Sequence, residues 1–484
     1  MEKFVYYDLA FLFLFCVALG LFLYRNRKNI QREGPLLLYR TKIGLDAIDS
    51  LGKKHRKFFS FLSTFIVAVG YLMAIAGTIF FFLAVYLTLT APSLPKIPPV
   101  IPLFPYIDRA LPTGFLPPFY FTYWIIVIAV VAVFHEFAHG VFAKIRDIRI
   151  KSTGFGFLGP LLAAFVELDE KQMAKKPIKS QLAVIAAGSF ANLVLWVIFL
   201  IISGVFFSSF FVPNGVIFSG YVAEPVNLSA IDSVNGILFD KTGPTLSQFS
   251  SAIEKVNESI IEVHANGKTY FVEKGRAEKL KESFEKGDFN EEKIESVALL
   301  MDSPAYKANL SGAIQKISSE GFKIKITDPN SLREALAQFN PKDKVNVETT
   351  SGNYSLTLGE NPGDKTKAFL GVSLIQLADD RLLLTKAFRS SNPSVYYSPK
   401  GDDGMGSLII FIKNLLFWLT AINLFVMLFN MLPLGIVDGG RFFFLTMLAI
   451  TKSEKKAMKA FRFVTYIIAL AFIWLMVGWV FKAF

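Results

Sequence analysis

The sequence predicts a polytopic α-helical membrane protein of about six transmembrane helices, with an inserted soluble α+β region. Three observations carry this expectation. The 484 residues are 53% apolar with a mean hydropathy of +0.45, too apolar for an ordinary soluble chain, yet 19% of them are charged. Six uninterrupted apolar stretches, near 7–24, 60–90, 120–145, 181–211, 407–432 and 459–482, are long enough to cross the roughly 30 Å of a bilayer's hydrocarbon. Between the fourth and fifth lies a polar stretch, 212–405, with short β-type runs, two helix-like segments and turn signals at Asn235-Gly236 and Asn266-Gly267.

Residues 1–118 read as an accessory region with two spans. The first span lies where a signal peptide would, but it lacks a small-residue cleavage site and runs straight into Arg25, Arg27 and Lys28, so it reads as a retained anchor. The following loop carries Arg32, Arg40, Lys42, Lys53, Lys54 and Arg56, which the positive-inside rule places in the cytoplasm, with the N-terminus outside. Carried through the spans, this orientation puts the basic segments 144–152 and 171–179 and the Lys452, Lys455, Lys456, Lys459 cluster inside as well. The Pro-rich segment 91–118 and the insert fall outside, and the Asn-x-Ser sequons at Asn227, Asn257, Asn309 and Asn353 all lie in the insert. Topology-setting loops in a lipid bilayer thus account for the net charge of +12, and no nucleic-acid partner is expected. Cys16 is the only cysteine, which excludes an internal disulfide and any Cys-based metal site.

Residues 119–211 hold two spans around 151–168, a Gly-rich apolar stretch with Gly154, Gly156 and Gly159 followed by an extended run. Non-helical backbone is tolerated at membrane depth only where protein or a cavity covers it, so a re-entrant hairpin is expected here; a greasy loop on the membrane surface fits the pattern as well. The insert carries a weak internal repeat. Val-Asn-Leu-Ser-Ala-Ile from Val226, a helix-like segment before Ile253 and a strand closing at Val272 are echoed by Ala-Asn-Leu-Ser-Gly-Ala-Ile from Ala308, a helix-like segment to Leu336 and a strand closing near Leu358. This resembles two PDZ-type modules, about 212–275 and 295–376, separated by the charged stretch 274–294; one PDZ domain with a decorated lead-in is the competing arrangement. PDZ folds bind extended peptides by strand addition, so peptide tails are expected partners.

The segment that carries chemistry is Val-Phe-His-Glu-Phe-Ala-His-Gly, 133–140, within the third span. His135 and His139, two of only four histidines, stand four residues apart and so project from one helix face, the spacing at which two imidazoles share one metal. Glu136 sits beside them, where a carboxylate can take a proton from water at that metal. Each ionisable residue at mid-helix costs about 2.5–3.5 kcal/mol to insert into a bilayer, so three together call for a compensating partner, which a metal supplies. The plain alternative is a polar cluster joining helices, whose contacts return only about 0.6 kcal/mol each. Zinc on two histidines needs a third protein ligand and keeps a fourth position for water. Asp438 is the candidate, because Pro433, Gly439 and Gly440 break the chain after the fifth span and can turn a carboxylate back into the bundle. The third and fifth spans run the same way if the insert contains no crossing, which brings the ends bearing His139 and Asp438 to one side. As an isolated residue Asp438 reads equally as a helix N-cap.

His-Glu-Phe-Ala-His at 135–139 with Asn-Met-Leu-Pro-Leu-Gly-Ile-Val-Asp-Gly at 430–439 resembles the site-2 protease family of intramembrane zinc metalloproteases, whose signatures are HExxH and NxxPxxxxDG. Gly188-Ser-Phe-Ala-Asn192 is similar to a third family feature, and a PDZ-bearing insert also fits. The resemblance covers the catalytic core (119–211 and 406–484) from about 120 and 407 onward, extends more loosely to the insert, and says little about 1–118. It implies hydrolysis of peptide bonds in transmembrane protein substrates, with Zn2+ on His135, His139 and Asp438, Glu136 as general base, and Asn192 and Asn430 positioning substrate or steadying the oxyanion; hydrogen bonding between helices reads equally for the two asparagines. His55 and His264 read as ordinary solvated residues. Two other readings stay open. A non-catalytic scaffold with a structural metal would have no need of Glu136, and a metal or proton transporter would carry acidic residues along a path instead of clustered at one depth.

Overall fold

In the computed structural model, which describes residues 2–34, 36–90, 104–106, 108, 116–159, 161–240, 242–255, 260–273, 275, 294–319, 321–374, 394–401 and 403–483, the chain divides into two compact units. One comprises Met1–Phe207 with Gly401–Phe484, the other Ser208–Lys400. Most of the Pro-rich segment 91–118, Asn257 and nearly all of the charged stretch 274–294 lie outside the described residues. Among the described residues six helices are long and apolar enough to cross a membrane, three before residue 150 and three after it.

The first unit opens with α1 (Glu2–Arg25), a short hairpin of β1 (Ile30–Glu33) and β2 (Leu36–Thr41), α2 (Leu45–Lys54) and the long α3 (Arg56–Thr90). Then come α4 (Phe121–Lys144), β3 (Ile150–Leu158), β4 (Leu161–Leu168), the short α5 (Glu170–Ala174) and α6 (Ile178–Phe210). On α3 the buried positions Ser63, Ile66, Gly70, Met73, Gly77 and Phe81 recur every three or four residues, so one face is turned into the bundle. Its glycines let backbones approach: a methyl at Gly77 would lie 2.6 Å from the Leu428 carbonyl oxygen. Asp8 of α1 is buried and accepts from the peptide N–H groups of Phe121 (2.7 Å) and Thr122 (2.9 Å). It thereby satisfies orphan donors at the start of α4 from another helix.

The N-terminal region is therefore built into the core. Ile48 of α2 is buried against Gly140, and the Asp49 carboxylate lies 2.7 Å from Lys144 Nζ, which holds it below the usual carboxylate range. The loop expected to be merely cationic instead supplies two strands of an antiparallel sheet ordered β1-β2-β3-β4, with Leu37 opposite Phe157 and Thr153 opposite Val166. The glycine-bearing strand β3 is thus an inner strand, paired on both sides, and β4 is the edge. Arg40 reaches across β3 to Glu167 (2.8 Å). At Gly154 a methyl group would overlap the Phe165 ring and the Tyr39 carbonyl, so only glycine fits beneath that aromatic side chain.

The second unit holds two six-stranded and smaller sheets. β5 (Phe211–Val216), β6 (Phe218–Tyr221) and β7 (Ala223–Asn227) precede a repeated order of strand, strand, helix and hairpin. Its first copy is β8 (Ile231–Val234), β9 (Ile237–Leu238), α7 (Leu246–Glu254), β10 (Ile260–Ala265) and β11 (Lys268–Glu273), followed by β12 (Ser296–Met301) and the single-turn α8 (Pro304–Lys307). Its second copy is β13 (Ile314–Ser319), β14 (Phe322–Lys325), α9 (Pro329–Leu336), β15 (Lys344–Thr349) and β16 (Gly352–Thr357). β17 (Gly359–Asn361), β18 (Asp364–Phe369), β19 (Val372–Leu374) and β20 (Val395–Pro399) complete it. Both repeated helices begin with a capping box, Thr245 with Gln248 and Asp328 with Ser331. Strands cross the expected 212–275 and 295–376 blocks: β12 joins β7 and β11 in the first sheet, while β5 pairs with β13 and β20 in the second. Edge pairing, which depends on partners distant in sequence, sets this exchange.

The chain returns to the first unit through α10 (Asp403–Phe429), which ends three residues before the expected boundary. A non-helical turn, 430–437, leads into α11 (Asp438–Thr451) and then α12 (Glu454–Ala483).

Candidate metal centre

Three helices and the turn before α11 build the centre. The four-residue spacing on α4 sets His135 and His139 on one face, with their Nε2 atoms 3.1 Å apart. The turn 430–437 brings Asp438 to them: its Oδ2 lies 3.1 Å from His135 Nε2 and 3.2 Å from His139 Nε2. Glycine makes that turn possible, because a methyl at Gly439 would overlap the Leu432 carbonyl oxygen and one at Gly440 that of Leu434. The Gly439 N–H closes the turn on Asn430 O at 2.6 Å. Asp438 is the first residue of α11, but its side chain makes no cap; it faces the histidines instead. The N-cap alternative is therefore not the arrangement found.

Helix α6 supplies the wall. A methyl at Gly188 would overlap His139 Nε2 and lie 2.6 Å from His135 Nε2, so this glycine holds the space in which the ring nitrogens converge. His139 Nδ1 donates to the Val184 carbonyl at 2.8 Å, which fixes the tautomer and leaves the Nε2 lone pair pointing at Asp438. On the other ring, the Asn192 carboxamide lies 3.0 Å from His135 Nδ1, and Asn192 Oδ1 is buried with no hydrogen-bond partner. A half-turn of that amide lets Oδ1 accept from Nδ1–H and again frees Nε2. In that amide orientation two imidazole lone pairs and a carboxylate oxygen converge.

Three such atoms packed this closely are compatible with a shared metal ion. A tetrahedral ion with bonds of about 2.0–2.1 Å holds its ligand atoms about 3.3 Å apart, close to the triangle found here. The histidines are 7% and 8% exposed, whereas the Asp438 side chain keeps 28% of its surface open. Two imidazoles and one carboxylate are a donor set that suits zinc. Among the described residues this is the one group of three or more His, Cys, Asp or Glu side chains close enough to hold a metal.

The other expected site residues fall around it. Glu136 Oε2 accepts from the Val166 N–H at 2.9 Å, which ties it to the edge strand β4. Asn430 Nδ2 lies 3.5 Å from His135 Nε2. His55 is exposed beside Phe59, and His264 lies in the second unit near Glu262 and Thr269, so neither joins the centre. Reasoning from residue types could not find the Val184 carbonyl or the Val166 amide, which act through backbone atoms. Gly188 carried a legible signal, four residues before Asn192.

A family profile described as peptidase family M50 matches residues 123–475, which include every residue of the centre. An uncharacterized protein of Methanocaldococcus jannaschii is 32% identical over 179 residues, a match covering 36% of this chain and 44% of that protein, so the chain aligns with less than half of the relative's length. The profile spans most of the chain and both segments that carry His135, His139 and Asp438, and on that ground the chain belongs to peptidase family M50, the site-2 protease family of membrane metallopeptidases.

Proposed function

We propose that the protein is a zinc metalloendopeptidase that hydrolyses peptide bonds within or near the transmembrane helices of membrane-protein substrates. The observation that carries this reading is the convergence of three acceptors, His135 Nε2, His139 Nε2 and Asp438 Oδ2, within 3.1–3.2 Å of one another at the end of a span. These residues would hold zinc, which when bound polarises a carbonyl and makes water nucleophilic near neutral pH. Glu136, unneeded by a purely structural site, takes a proton from the attacking water and passes it to the leaving amine. Full burial and the contact with His135 Nδ1 favour a role for Asn192 in orienting that ring over the substrate-positioning or oxyanion role the family resemblance implies; Asn430, whose amide lies on the Nε2 side, is better suited to steady developing negative charge.

A transmembrane helix hides its peptide bonds, so the substrate must be held opened. Edge strand β4, which has no second strand neighbour among the described residues, is the better candidate for this than the inner, glycine-bearing β3, which is paired on both sides. The cation-rich loops favour a cell membrane orientation with the N-terminus and residues 212–405 extracytoplasmic and the metal toward the cytoplasmic side. The repeated strand, strand, helix and hairpin order supports PDZ-like modules that take extended peptide tails, as a filter on substrate.

Purified protein in detergent, given a transmembrane reporter substrate, tests the activity. Wild type should cleave, and Glu136→Gln should keep its zinc and lose cleavage. Equal cleavage by the variant would assign the activity to a contaminant and favour the scaffold reading.

A further inference from the structure

Glu136 is engaged before any substrate arrives. Its Oε2 accepts from the peptide N–H of Val166 at 2.9 Å. Val166 lies on β4, whose inner side pairs with β3 (Val166 opposite Thr153) and which has no second strand neighbour among the described residues. A residue of an antiparallel strand directs its N–H and C=O to the same side, and neighbouring residues direct theirs to opposite sides. The Val166 N–H reaches Glu136 on α4, so it points away from β3. Leu162 and Ala164 share its phase, so their backbone groups face the same side of β4. β4 also runs alongside α4. The carboxylate thus occupies one of the donors that an added strand would use.

We propose that this contact is a latch coupling substrate pairing to release of the base. In the resting protein the Val166 N–H holds Glu136 to the strand edge. When an extended substrate segment pairs along β4, its carbonyl takes that N–H and the carboxylate is freed to receive a proton. The inference rests on the protease reading and adds a control to it: hydrolysis is confined to segments already opened and paired, and intact helices passing the metal leave the base engaged. Removing the carboxylate's charge weakens the contact, because a neutral amide is a poorer acceptor than a carboxylate.

The test uses the full-length protein in micelles, labelled with 15N at valine, with the Val166 amide assigned by its loss in Val166→Ile. The probe is an end-blocked peptide of alternating valine and threonine at millimolar concentration. Glu136→Gln should shift the Val166 amide proton in the free protein, and the peptide should bring wild type and Glu136→Gln to a common position. The latch is overturned if Glu136→Gln leaves the free amide unmoved, if the peptide leaves wild type unmoved, or if the difference between the two proteins survives the peptide. Cleavage of the transmembrane reporter is measured on the same preparations. Cleavage without these shifts sinks the latch and keeps the protease; the shifts without cleavage keep the coupling and sink the proposed activity.

Discussion

Gly188 faces His139 so closely that a methyl group at the glycine would overlap Nε2, the ring nitrogen nearest Asp438. The neighbours of that methyl are rings held from behind, His139 by the Val184 carbonyl and His135 by Asn192, so neither can swing aside cheaply. Gly188→Ala should therefore abolish zinc binding while the protein still folds. Gly204, on the same helix, has nothing within 4 Å of an added methyl, and Gly204→Ala should bind zinc like wild type. Metal content of the purified proteins reads the difference; equal zinc in both would mean that the helices shift to admit the methyl.

Asn192 is the next test, because its amide is the sole contact found for His135 Nδ1 among the described residues. Loss of a partner behind a ligating histidine typically weakens metal affinity about 10–100-fold. Asn192→Ala should show a loss of that size in competition with a zinc chelator, and Asn192→Asp, which keeps an acceptor, should recover part of it. An alanine variant with unchanged affinity would make the amide irrelevant to ring orientation.

The sequence made the bundle legible where a single physical requirement acts along it. Twenty apolar residues announce a span whatever they pack against, and the Pro433 and Gly439 break announced a turn before Asp438. Two features stayed hidden. β1 and β2 are only four and six residues long, and become strands because β3, more than 100 residues later, pairs with β2 at Leu37 opposite Phe157. α11 is 14 residues long, too short to register as a span, and its start is set by the glycines that close the turn on Asn430. Side-chain chemistry of the centre was readable as types and spacing, whereas the backbone partners at Val166 and Val184 leave no mark in residue identity.

The sheet beside Glu136 depends on one glycine more than on its neighbour. A methyl at Gly154 would overlap the Phe165 ring and the Tyr39 carbonyl, while one at Gly156 meets only Leu38 Cδ2 at 3.4 Å and Ala163 Cβ at 3.8 Å, ordinary contacts. Gly154→Ala should displace β4 and with it the Val166 amide, lowering cleavage at least tenfold with zinc retained. Gly156→Ala should cleave within about twofold of wild type. Parallel loss in both variants would show that the hairpin needs glycine for backbone freedom and not for the space under Phe165.

Ile48 and Gly140 give the N-terminal region a measurable part in the centre. Ile48 is 1% exposed, and a methyl at Gly140, the residue after His139, would lie 2.8 Å from its Cδ1. Ile48→Ala removes a buried side chain and should cost about 2–5 kcal/mol. Gly140→Ala overpacks the same contact and should cost about 1–3 kcal/mol. Because the clash is with the end of one side chain, the double variant should be less destabilised than the sum of the two, with a coupling of about 0.5–3 kcal/mol. Unfolding in detergent across the four proteins measures it. Additive losses would mean that α2 and α4 do not bear on each other at this point, and that residues 45–54 could be varied without consequence for the helix that carries His135 and His139.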